Sequence, residues 1–302
     1  KMFKKKIGVL LASTMLVGAL AVGCSSNSGG SGDSGDSSKV SVSGSTSIGP
    51  LMETIGEKFQ EKNQGVSVEV QQIGSSGGIK NAIEGTSEIG MSSRDLKDEE
   101  KSAGLKETKI AIDGIALITN TANSVKNLTM DQVKGIYTGK ITNWKEVGGN
   151  DAPIVIVSRE EGSGTRDGFQ EIVGFDSEEL TKDAQISDGS GNIKTTVEGN
   201  ENAIGYISFG YVDEKVNSLK INDVEATDAN VIANKYPISR PFILVNKEDG
   251  LSEKGKALIE QQSCNTASDN HQNRIGLIFS RSDKSNQEDD DTDNKCIGIF
   301  CR

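Results

Sequence analysis

One motif constrains the fold of this chain more than any other: an apolar strand-like run, a Gly/Ser/Thr turn and a helix start follow one another directly. The apolar run is residues 154–157, the turn lies within residues 159–166 (REEGSGTR), and a helix-like run begins at Asp167. The first N–H groups of a helix have no partner within the helix, and guanidinium groups such as those of Arg159 and Arg166 bind oxyanions. The motif therefore predicts an anion site at the end of a strand.

Two further turns of the same kind lie upstream. Residues 44–50 (GSTSIGP) and residues 74–78 (GSSGG) each follow a strand-like run and precede a run with helical spacing of apolar residues. Alternating strands and helices indicate a mostly parallel α/β sheet, and such sheets bind ligands at the carboxyl ends of their strands. We therefore predict an α/β protein of two lobes, with one small oxyanion held between them by three loops.

The charge balance and the residue types argue against several function classes. A net charge of -11 and a pI near 4.8 argue against a nucleic-acid partner, because binding to a phosphate backbone is largely an effect of Lys and Arg. The only His is His271, in a polar stretch far from Ser163, so this Ser has no candidate base to make it a nucleophile. No P-loop with its Lys and no Cys/His metal spacing occurs. The sequence predicts a binding protein without a metal or cofactor, not an enzyme.

The amino-terminal residues have the pattern of a secretory signal. Residues 4–6 (KKK) precede an apolar and small-residue run over residues 7–22, which is shorter than the roughly 20 apolar residues that a membrane-spanning helix needs. The following segment, AVGC, resembles a bacterial lipobox and ends at Cys24. We predict a lipoprotein signal peptide over residues 1–23 and a lipid such as palmitate on Cys24, which anchors the protein at the extracytoplasmic face of the cell membrane. An ordinary cleaved signal with an incidental Cys is the alternative.

Residues 24–38 are predicted to be a flexible tether. After Cys24 this segment consists of Ser, Gly, Asp and Asn, a composition that buries no apolar surface. It fits a linker between a lipid anchor and a folded module.

Six segments of the chain, all within residues 40–247, form a recognisable set. They are residues 44–48 (GSTSI), 73–78 (IGSSGG), 89–94 (IGMSSR), 137–144 (YTGKITNW), 159–166 (REEGSGTR) and 203–206 (AIGY). Together, and in this order, they resemble the phosphate-binding lipoproteins that supply bacterial high-affinity phosphate transporters of the ABC type.

The resemblance implies a two-lobed periplasmic-binding-protein fold of type II, with a hinge between the lobes and the ligand in the cleft. It also implies a function: the protein would capture inorganic phosphate and deliver it to the permease subunits of an ABC transporter. The sequence shows no dimer signal, so we expect a monomer. The chain would pass from the first lobe to the second near Thr119 and return to the first near Ser239. This assigns residues 39–118 and 239–302 to one lobe and residues 119–238 to the other.

The resemblance also implies which residues hold the anion. Position by position, the phosphate ligands carried over are Thr46, Ser47, Ser75, Ser93, Arg94, Arg159, Ser163, Gly164 and Thr165. A plainer interpretation of the central loop is that Ser163 and Thr165 cap a helix while Arg159 pairs with a neighbouring Glu.

One position departs from the family pattern, because some better-known members have an Asp where this chain has Ser93. Phosphate near neutral pH carries a proton and sulfate does not, so a carboxylate that accepts this proton selects phosphate. Another residue must then supply the acceptor, and Asp113 is the candidate because it interrupts an apolar strand. A capping or solvated edge position is the alternative for Asp113.

Two other functions remain open at this stage. One is a binding protein for another oxyanion, such as sulfate or molybdate, which a missing proton acceptor would favour. The other is a lipid-anchored phosphate sensor or adhesion protein that uses the same fold for interactions.

The carboxyl-terminal residues do not match the family. Residues 261–302 are polar, include the acidic run of residues 288–291 and end near Cys296 and Cys301. Blocks of like charge with few apolar residues are typical of disorder. An out-of-frame or sequencing artefact is one interpretation of this tail, and a genuine extension with a disulfide between the two Cys residues is the other.

Overall fold

The computed structural model describes residues 39–267, and the side chains of residues 39–260. The predicted signal peptide, the lipidated Cys24, the tether and most of the atypical tail lie outside the described residues. The strands are β1 Lys39–Gly44, β2 Ser67–Gln72, β3 Ile89–Ser92, β4 Leu105–Asn120, β5 Asn127–Leu128, β6 Val155–Arg159, β7 Gln185–Ser187, β8 Ala203–Ser208, β9 Val216–Ser218, β10 Lys220–Ile221 and β11 Ser239–Lys247. The α-helices are α1 Gly49–Lys62, α2 Ser75–Glu84, α3 Asp98–Lys101, α4 Met130–Tyr137, α5 Gly164–Val173, α6 Gly189–Glu198, α7 Asp228–Ile232 and α8 Glu253–Ala267. Short 3₁₀ turns are Trp144–Val147, Ser177–Glu179, Phe209–Tyr211 and Glu248–Gly250.

The α/β class predicted from the sequence is confirmed, but the sheet is more mixed than expected. Its strand order is β2-β1-β3-β11-β4-β8-β6-β7, and β9 pairs with β4. Pairing is parallel at both ends of this order, where β1 lies between β2 and β3 and β6 lies between β7 and β8. It is antiparallel in the middle, because β4 and β11 run alongside each other and β4 also pairs with β8.

Strand β4 links the two halves of the sheet. Its first part pairs with β11 as far as Gly114, and its second part pairs with β8 from Ile115 to Thr119. The strand passes through Gly114 without a break, although the sequence suggested an interruption there. A Cβ at Gly114 would lie 2.4 Å from the Phe209 ring, so only glycine lets the strand pass beneath that ring. We call the half with β1, β2, β3 and β11 the first lobe and the half with β6, β7 and β8 the second lobe. The numerical lobe boundaries given above stay a prediction.

Each lobe has its own apolar core. In the first lobe, α1 places Leu51, Met52, Ile55 and Phe59 against the sheet, as the helical spacing of these residues predicted. The core of the second lobe contains the buried Trp144, whose indole N–H donates to the Asn202 carbonyl. Trp144 therefore packs within the core of the second lobe.

Helix α8 closes the first lobe on the carboxyl-terminal side. Its Leu258 and Ile259 pack into the core of that lobe. The tail predicted over residues 261–302 is thus helical as far as Ala267, and its remainder lies outside the described residues. Within residues 39–267, no helix is long and apolar enough to cross a membrane.

Candidate anion-binding site

Four strand-to-helix loops and the end of β3 meet between the two lobes. The loops lead into the N-termini of α1, α2, α5 and α6, each of which offers backbone N–H groups without a partner inside its helix. The loop before α2 depends on a glycine, because Gly74 at the helix N-cap has φ 84° and ψ 156°, a backbone conformation that L side chains rarely adopt. The convergence arises because β1, β2 and β3 are parallel neighbours in the first lobe and β6 and β7 are parallel neighbours in the second.

Six buried hydroxyl side chains lie together at this point, and we call them the hydroxyl cluster. Ser47 Oγ lies 2.9 Å from Thr165 Oγ1 and 3.3 Å from Ser190 Oγ, and these contacts join the lobes. Ser45 Oγ donates to Ser93 Oγ at 2.9 Å, and Ser75 Oγ lies 3.3 Å from the same atom. The members are Ser45, Ser47, Ser75, Ser93, Thr165 and Ser190, all of which are buried.

The guanidinium of Arg159 lies beside this cluster and is 1% exposed. Its Nη1 donates to Ser190 Oγ at 3.2 Å, and its Nη2 donates to Thr46 Oγ1 at 3.1 Å. Nε and Nη2 also donate to the two carboxylate oxygens of Glu160, at 2.7 Å each. Burial would raise the pKa of Glu160, but the hydrogen bonds and charge of Arg159 and the Gly189 N–H outweigh it, so the pKa is lowered. Arg159 therefore has the paired Glu of the plainer interpretation and also reaches the hydroxyls.

A pair of stacked aromatic rings fixes the backbone of Arg159 at the end of β6. Tyr206 Oη accepts from the Arg159 backbone N–H at 3.2 Å and lies 2.8 Å from Ser158 Oγ. The Tyr206 ring stacks on Phe169 of α5 with centroids 4.1 Å apart. Because Tyr206 is fully buried and lies on β8, it fixes the end of β6 from behind.

The central loop caps α5 and leaves no room beside Gly164. Ser163 is the N-cap of α5 and accepts from the Arg166 N–H at 3.3 Å. A Cβ at Gly164 would lie 2.2 Å from Ser75 Oγ and 2.9 Å from Ser93 Oγ. The Arg166 side chain donates from Nη1 to the Arg159 carbonyl at 3.2 Å. The loop thus brings its backbone against hydroxyls of the first lobe.

Arg94 lies next to Ser93 in sequence, but its side chain donates to groups outside the hydroxyl cluster. It donates to both carboxylate oxygens of Glu100, at 2.7 and 2.9 Å, and to Asp167 Oδ2 of the second lobe at 2.9 Å. Burial would lower the pKa of Arg94, but Glu100 and Asp167 outweigh it, so the pKa is raised. For Glu100, burial is likewise outweighed by Arg94 and the Lys97 N–H, and its pKa is lowered. Arg94 joins the lobes through an ion pair.

Asp113 lies near the cluster and is paired with Arg240, a residue that the sequence analysis did not single out. The two residues lie opposite each other on β4 and β11, and Arg240 Nε and Nη2 donate to Asp113 Oδ2 at 3.2 and 3.0 Å. Ser208 Oγ donates to Asp113 Oδ1 at 2.8 Å. Burial raises the pKa of Asp113, while Arg240 and Ser208 act in the opposite direction.

Arg240 also contacts the hydroxyl cluster. Its Nη2 donates to Ser47 Oγ at 3.0 Å, and its Nη1 donates to Ser93 Oγ and to the Ser93 carbonyl at 3.2 Å each. Burial lowers the pKa of Arg240, Asp113 raises it, and the nearby positive charge of Arg159 lowers it further. Two guanidinium groups therefore reach the same set of hydroxyls.

The comparisons with known proteins identify the family. The model of the PBP superfamily domain matches residues 29–261. The phosphate-binding protein PstS of Bacillus subtilis is 37% identical over 207 residues, which are 67% of this chain and 68% of that protein. The PstS of Staphylococcus haemolyticus is 32% identical over 261 residues, 81% of this chain and 82% of that protein. This chain belongs to the PstS phosphate-binding proteins of the PBP superfamily.

Solved structures of this family agree. A Clostridium perfringens protein assigned as a phosphate ABC transporter substrate-binding protein, with bound phosphate, is 67% identical, with a TM-score of 0.73 over 74% of this chain and 91% of that chain. An ABC-type phosphate transport receptor from Vibrio cholerae is 36% identical, with a TM-score of 0.65 over 76% of this chain and 95% of that chain. The predicted periplasmic-binding-protein fold and the resemblance to the PstS family are confirmed.

Within this PstS chain, most of the predicted ligand residues lie together. Ser47, Ser75, Ser93 and Thr165 are members of the hydroxyl cluster, and Thr46, Arg159, Ser163 and Gly164 lie beside it. Arg94 and Asp113 are bonded instead to acidic or basic partners. Whether each of these residues contacts the ligand stays a prediction.

Three residues of the site were missed, and the sequence held a signal for two of them. Ser190 lies in the run DGSG, which follows β7 and forms the start of α6, just as the recognised turns lie where a strand passes into a helix. Arg240 is a charged residue in an apolar strand, the same signal that pointed to Asp113. Ser45 directly precedes the predicted ligands Thr46 and Ser47 in the chain and had no signal of its own.

The donor set of the site suits an anion and not a metal ion. Hydroxyls, guanidinium groups and helix N-termini surround the cluster, whereas hard metal ions prefer carboxylate and carbonyl oxygens. Within the described part of the chain, no group of three or more His, Cys, Asp or Glu side chains could hold a metal ion.

Proposed function

We propose that this protein captures inorganic phosphate outside the cytoplasm and delivers it to the permease of a phosphate ABC transporter. The observation that carries the proposal is the hydroxyl cluster with Arg159 beside it, buried between two lobes. Burying this many polar groups costs free energy unless each has a partner, and a tetrahedral oxyanion offers acceptors to several of them at once. The bound phosphate of the similar Clostridium perfringens protein supports the choice of ligand.

Binding in this arrangement would keep the lobes together. Hydrogen bonds already cross between the lobes, from Arg159 to Thr46, from Tyr211 to the Thr46 carbonyl and from the Ser76 N–H to the Gly162 carbonyl. An anion held by residues of both lobes adds to these contacts and favours the closed arrangement. The same hinge motion would release the ligand at the permease.

We propose as phosphate ligands the predicted residues that lie at the cluster. Their hydroxyl, guanidinium and backbone N–H groups surround one point, and all can donate to an oxyanion. The proposed ligands are Thr46, Ser47, Ser75, Ser93, Arg159, Ser163, Gly164 and Thr165.

The anchor, the location and the binding stoichiometry are also proposals. A lipid on Cys24 and the tether of residues 24–38 would hold the protein on the extracytoplasmic face of the cell membrane, near the permease subunits. We expect a monomer that binds one phosphate. As a member of the PstS proteins, the chain is a binding protein and not an enzyme.

Another oxyanion is the second candidate ligand, because Asp113 is bonded to Arg240 and Ser208 and sulfate requires no proton acceptor. Calorimetric titration of the purified protein with phosphate and then with sulfate tests both functions. We expect tight binding of phosphate and at least about tenfold weaker binding of sulfate. Binding of sulfate alone would assign the protein to a different anion. If neither ion binds, the transport function is wrong and the adhesion function becomes the working hypothesis.

A further inference from the structure

We propose that Arg240 contacts the bound phosphate as a second cation beside Arg159, with Asp113 positioning it, and that the site therefore holds phosphate in its doubly charged form. The inference rests on the proposed function, since it concerns the same site. It assigns a ligand residue outside the predicted set and gives Asp113 a different role from the proton acceptor expected from the sequence.

The first argument is the place of Arg240 in the hydroxyl cluster. The cluster has two groups: Ser45, Ser75 and Ser93 are bonded among themselves, and Ser47 is bonded to Thr165 and Ser190. Arg240 donates to one member of each group, to Ser93 Oγ at 3.2 Å and to Ser47 Oγ at 3.0 Å. An anion that accepts from both hydroxyls lies within reach of the same guanidinium.

The second argument is that Asp113 leaves part of Arg240 without a charged acceptor. Asp113 binds the guanidinium through Oδ2 alone, because Oδ1 accepts from Ser208. Nη1 of Arg240 donates only to the carbonyl and the hydroxyl of Ser93, both neutral. By contrast, Glu160 accepts from Arg159 with both of its oxygens. A buried guanidinium of this kind is stabilised further by an anion at the hydroxyls.

The third argument concerns the protons of the ligand. Among residues 39–260, Asp113 is the only Asp or Glu side chain that is buried, and its two oxygens accept three hydrogen bonds from Ser208 and Arg240. Glu160 is engaged by Arg159 and the Gly189 N–H. Within the described residues, no carboxylate is thus left to accept a proton from the ligand. Guanidinium and N–H groups only donate, so the hydroxyls of the cluster are the acceptors that remain for the single proton of the doubly charged form. Of the two forms of phosphate present near neutral pH, such a site favours the doubly charged one, which carries one proton fewer than the singly charged one.

The groups around Arg240 do not supply the missing acceptor. Charged or titratable groups that act on it are Asp113 on β4, Arg159 at the end of β6 and Tyr206 on β8. Burial raises the pKa of Tyr206, which therefore stays neutral and bonded to Ser158 and the Arg159 N–H. Arg240 and Arg159 remain two positive charges beside one ligand.

Calorimetric titration with inorganic phosphate tests the proposal in the full chain. Arg240→Met alone would leave the buried charge of Asp113 without its positively charged partner, so the main variant combines Arg240→Met with Asp113→Asn and leaves no unpaired buried charge. We expect this variant to bind phosphate at least about tenfold more weakly than the unaltered protein. Arg240→Lys keeps the charge but loses the planar donor pair, and we expect a smaller loss, about threefold to tenfold. Lys145→Met removes an exposed positive charge in the second lobe and is the control, expected to bind normally.

A spectroscopic measurement separates ligand contact from a purely structural role. The ³¹P chemical shift of bound phosphate, recorded at one near-neutral pH, reports its protonation state. We expect the shift of the doubly charged form in the unaltered protein and a change towards the singly charged form in the double variant. A double variant that unfolds at the same temperature and binds phosphate within about twofold of the unaltered protein would overturn the proposal. So would a bound phosphate that is singly charged in the unaltered protein.

Failure of this inference can be told apart from failure of the proposed function. If the unaltered protein binds no phosphate, the proposed function is wrong and the role of Arg240 is wrong with it. If it binds phosphate and loses that binding in Arg159→Ala but not in the Arg240 variants, only the role of Arg240 is wrong. Should the double variant not fold, Arg240→Lys decides the question by the same comparison of affinities.

Discussion

Ser47 Oγ and Thr165 Oγ1 lie 2.9 Å apart, although the two residues are 118 positions apart in the chain and belong to different lobes. Ser47 comes from the loop before α1, and Thr165 from the first turn of α5. Their contact places hydroxyls of both lobes at one point, which is the geometry that an anion needs to hold the lobes closed.

Loss of the central loop's donors should weaken phosphate binding. We expect Thr165→Ala and Arg159→Ala each to reduce the affinity at least about tenfold, equivalent to ~1.4 kcal/mol, because each removes a buried or charge-assisted hydrogen bond. Thr195→Ala is the control, since its exposed hydroxyl donates only to the Gly191 carbonyl of its own helix. Unchanged calorimetric affinity in both site variants would remove the central loop from the site.

A methyl group at Gly164 should interfere with the approach of the two lobes. The added Cβ would lie 2.2 Å from Ser75 Oγ, so α5 and the loop before α2 must move apart. We expect Gly164→Ala to lower the phosphate affinity more than about tenfold while the lobes stay folded. Gly191→Ala, in the first turn of α6 with its nearest neighbour at 3.9 Å, should bind normally. Equal affinities of the two variants would show that the close approach of Gly164 has no part in binding.

Substitutions of two buried tyrosines distinguish an effect on phosphate binding from an effect on stability alone. Tyr206→Phe leaves the Arg159 N–H without its acceptor, and Tyr236→Phe leaves the Ile115 carbonyl without its donor at 3.0 Å. We expect each to lower the free energy of unfolding by ~1–3 kcal/mol in urea titrations. Only Tyr206→Phe should also weaken phosphate binding, because only Tyr206 positions the strand end that bears Arg159. Weaker binding by Tyr236→Phe to the same degree would mean that stability alone accounts for the effect.

The ion pair of Arg94 with Glu100 should make stability depend on pH in the acid range. The pKa of Glu100 is below its ordinary value of 4.5, so the folded protein binds the proton less readily than the unfolded chain. The stability from this group is present above the ordinary value and is lost as the pH falls through the lowered pKa. Glu100→Gln should therefore be less stable than the unaltered protein at neutral pH and lose less stability across this acid window.

Urea unfolding at a series of pH values measures this effect. Glu99→Gln is the matched control, because Glu99 is the exposed neighbour in α3. The prediction would be contradicted if the free energy of unfolding fell with decreasing pH equally steeply in the Glu100 variant and in the unaltered protein.

The sequence by itself determined the local structure of the site. Apolar runs followed by Gly/Ser/Thr turns predicted strand ends and helix N-termini, because these turns require glycine backbone and hydroxyl caps at fixed positions. The spacing of Leu51, Ile55 and Phe59 predicted the buried face of α1. The family segments around residues 74–78 and 159–166 predicted most of the residues that meet at the cluster.

Only the tertiary structure decided which charged side chains reach the proposed anion site. Asp113 and Arg240 are 127 residues apart and meet because β4 and β11 pair antiparallel, a register that depends on the whole sheet. Arg94 follows Ser93 directly, yet its side chain bonds to Glu100 and to Asp167 of the other lobe. Local patterns place a residue on a loop or a strand, whereas the partner of a long charged side chain is chosen by packing between distant segments. The sequence therefore determined where the proposed anion site lies, and the fold decided which guanidinium groups reach it.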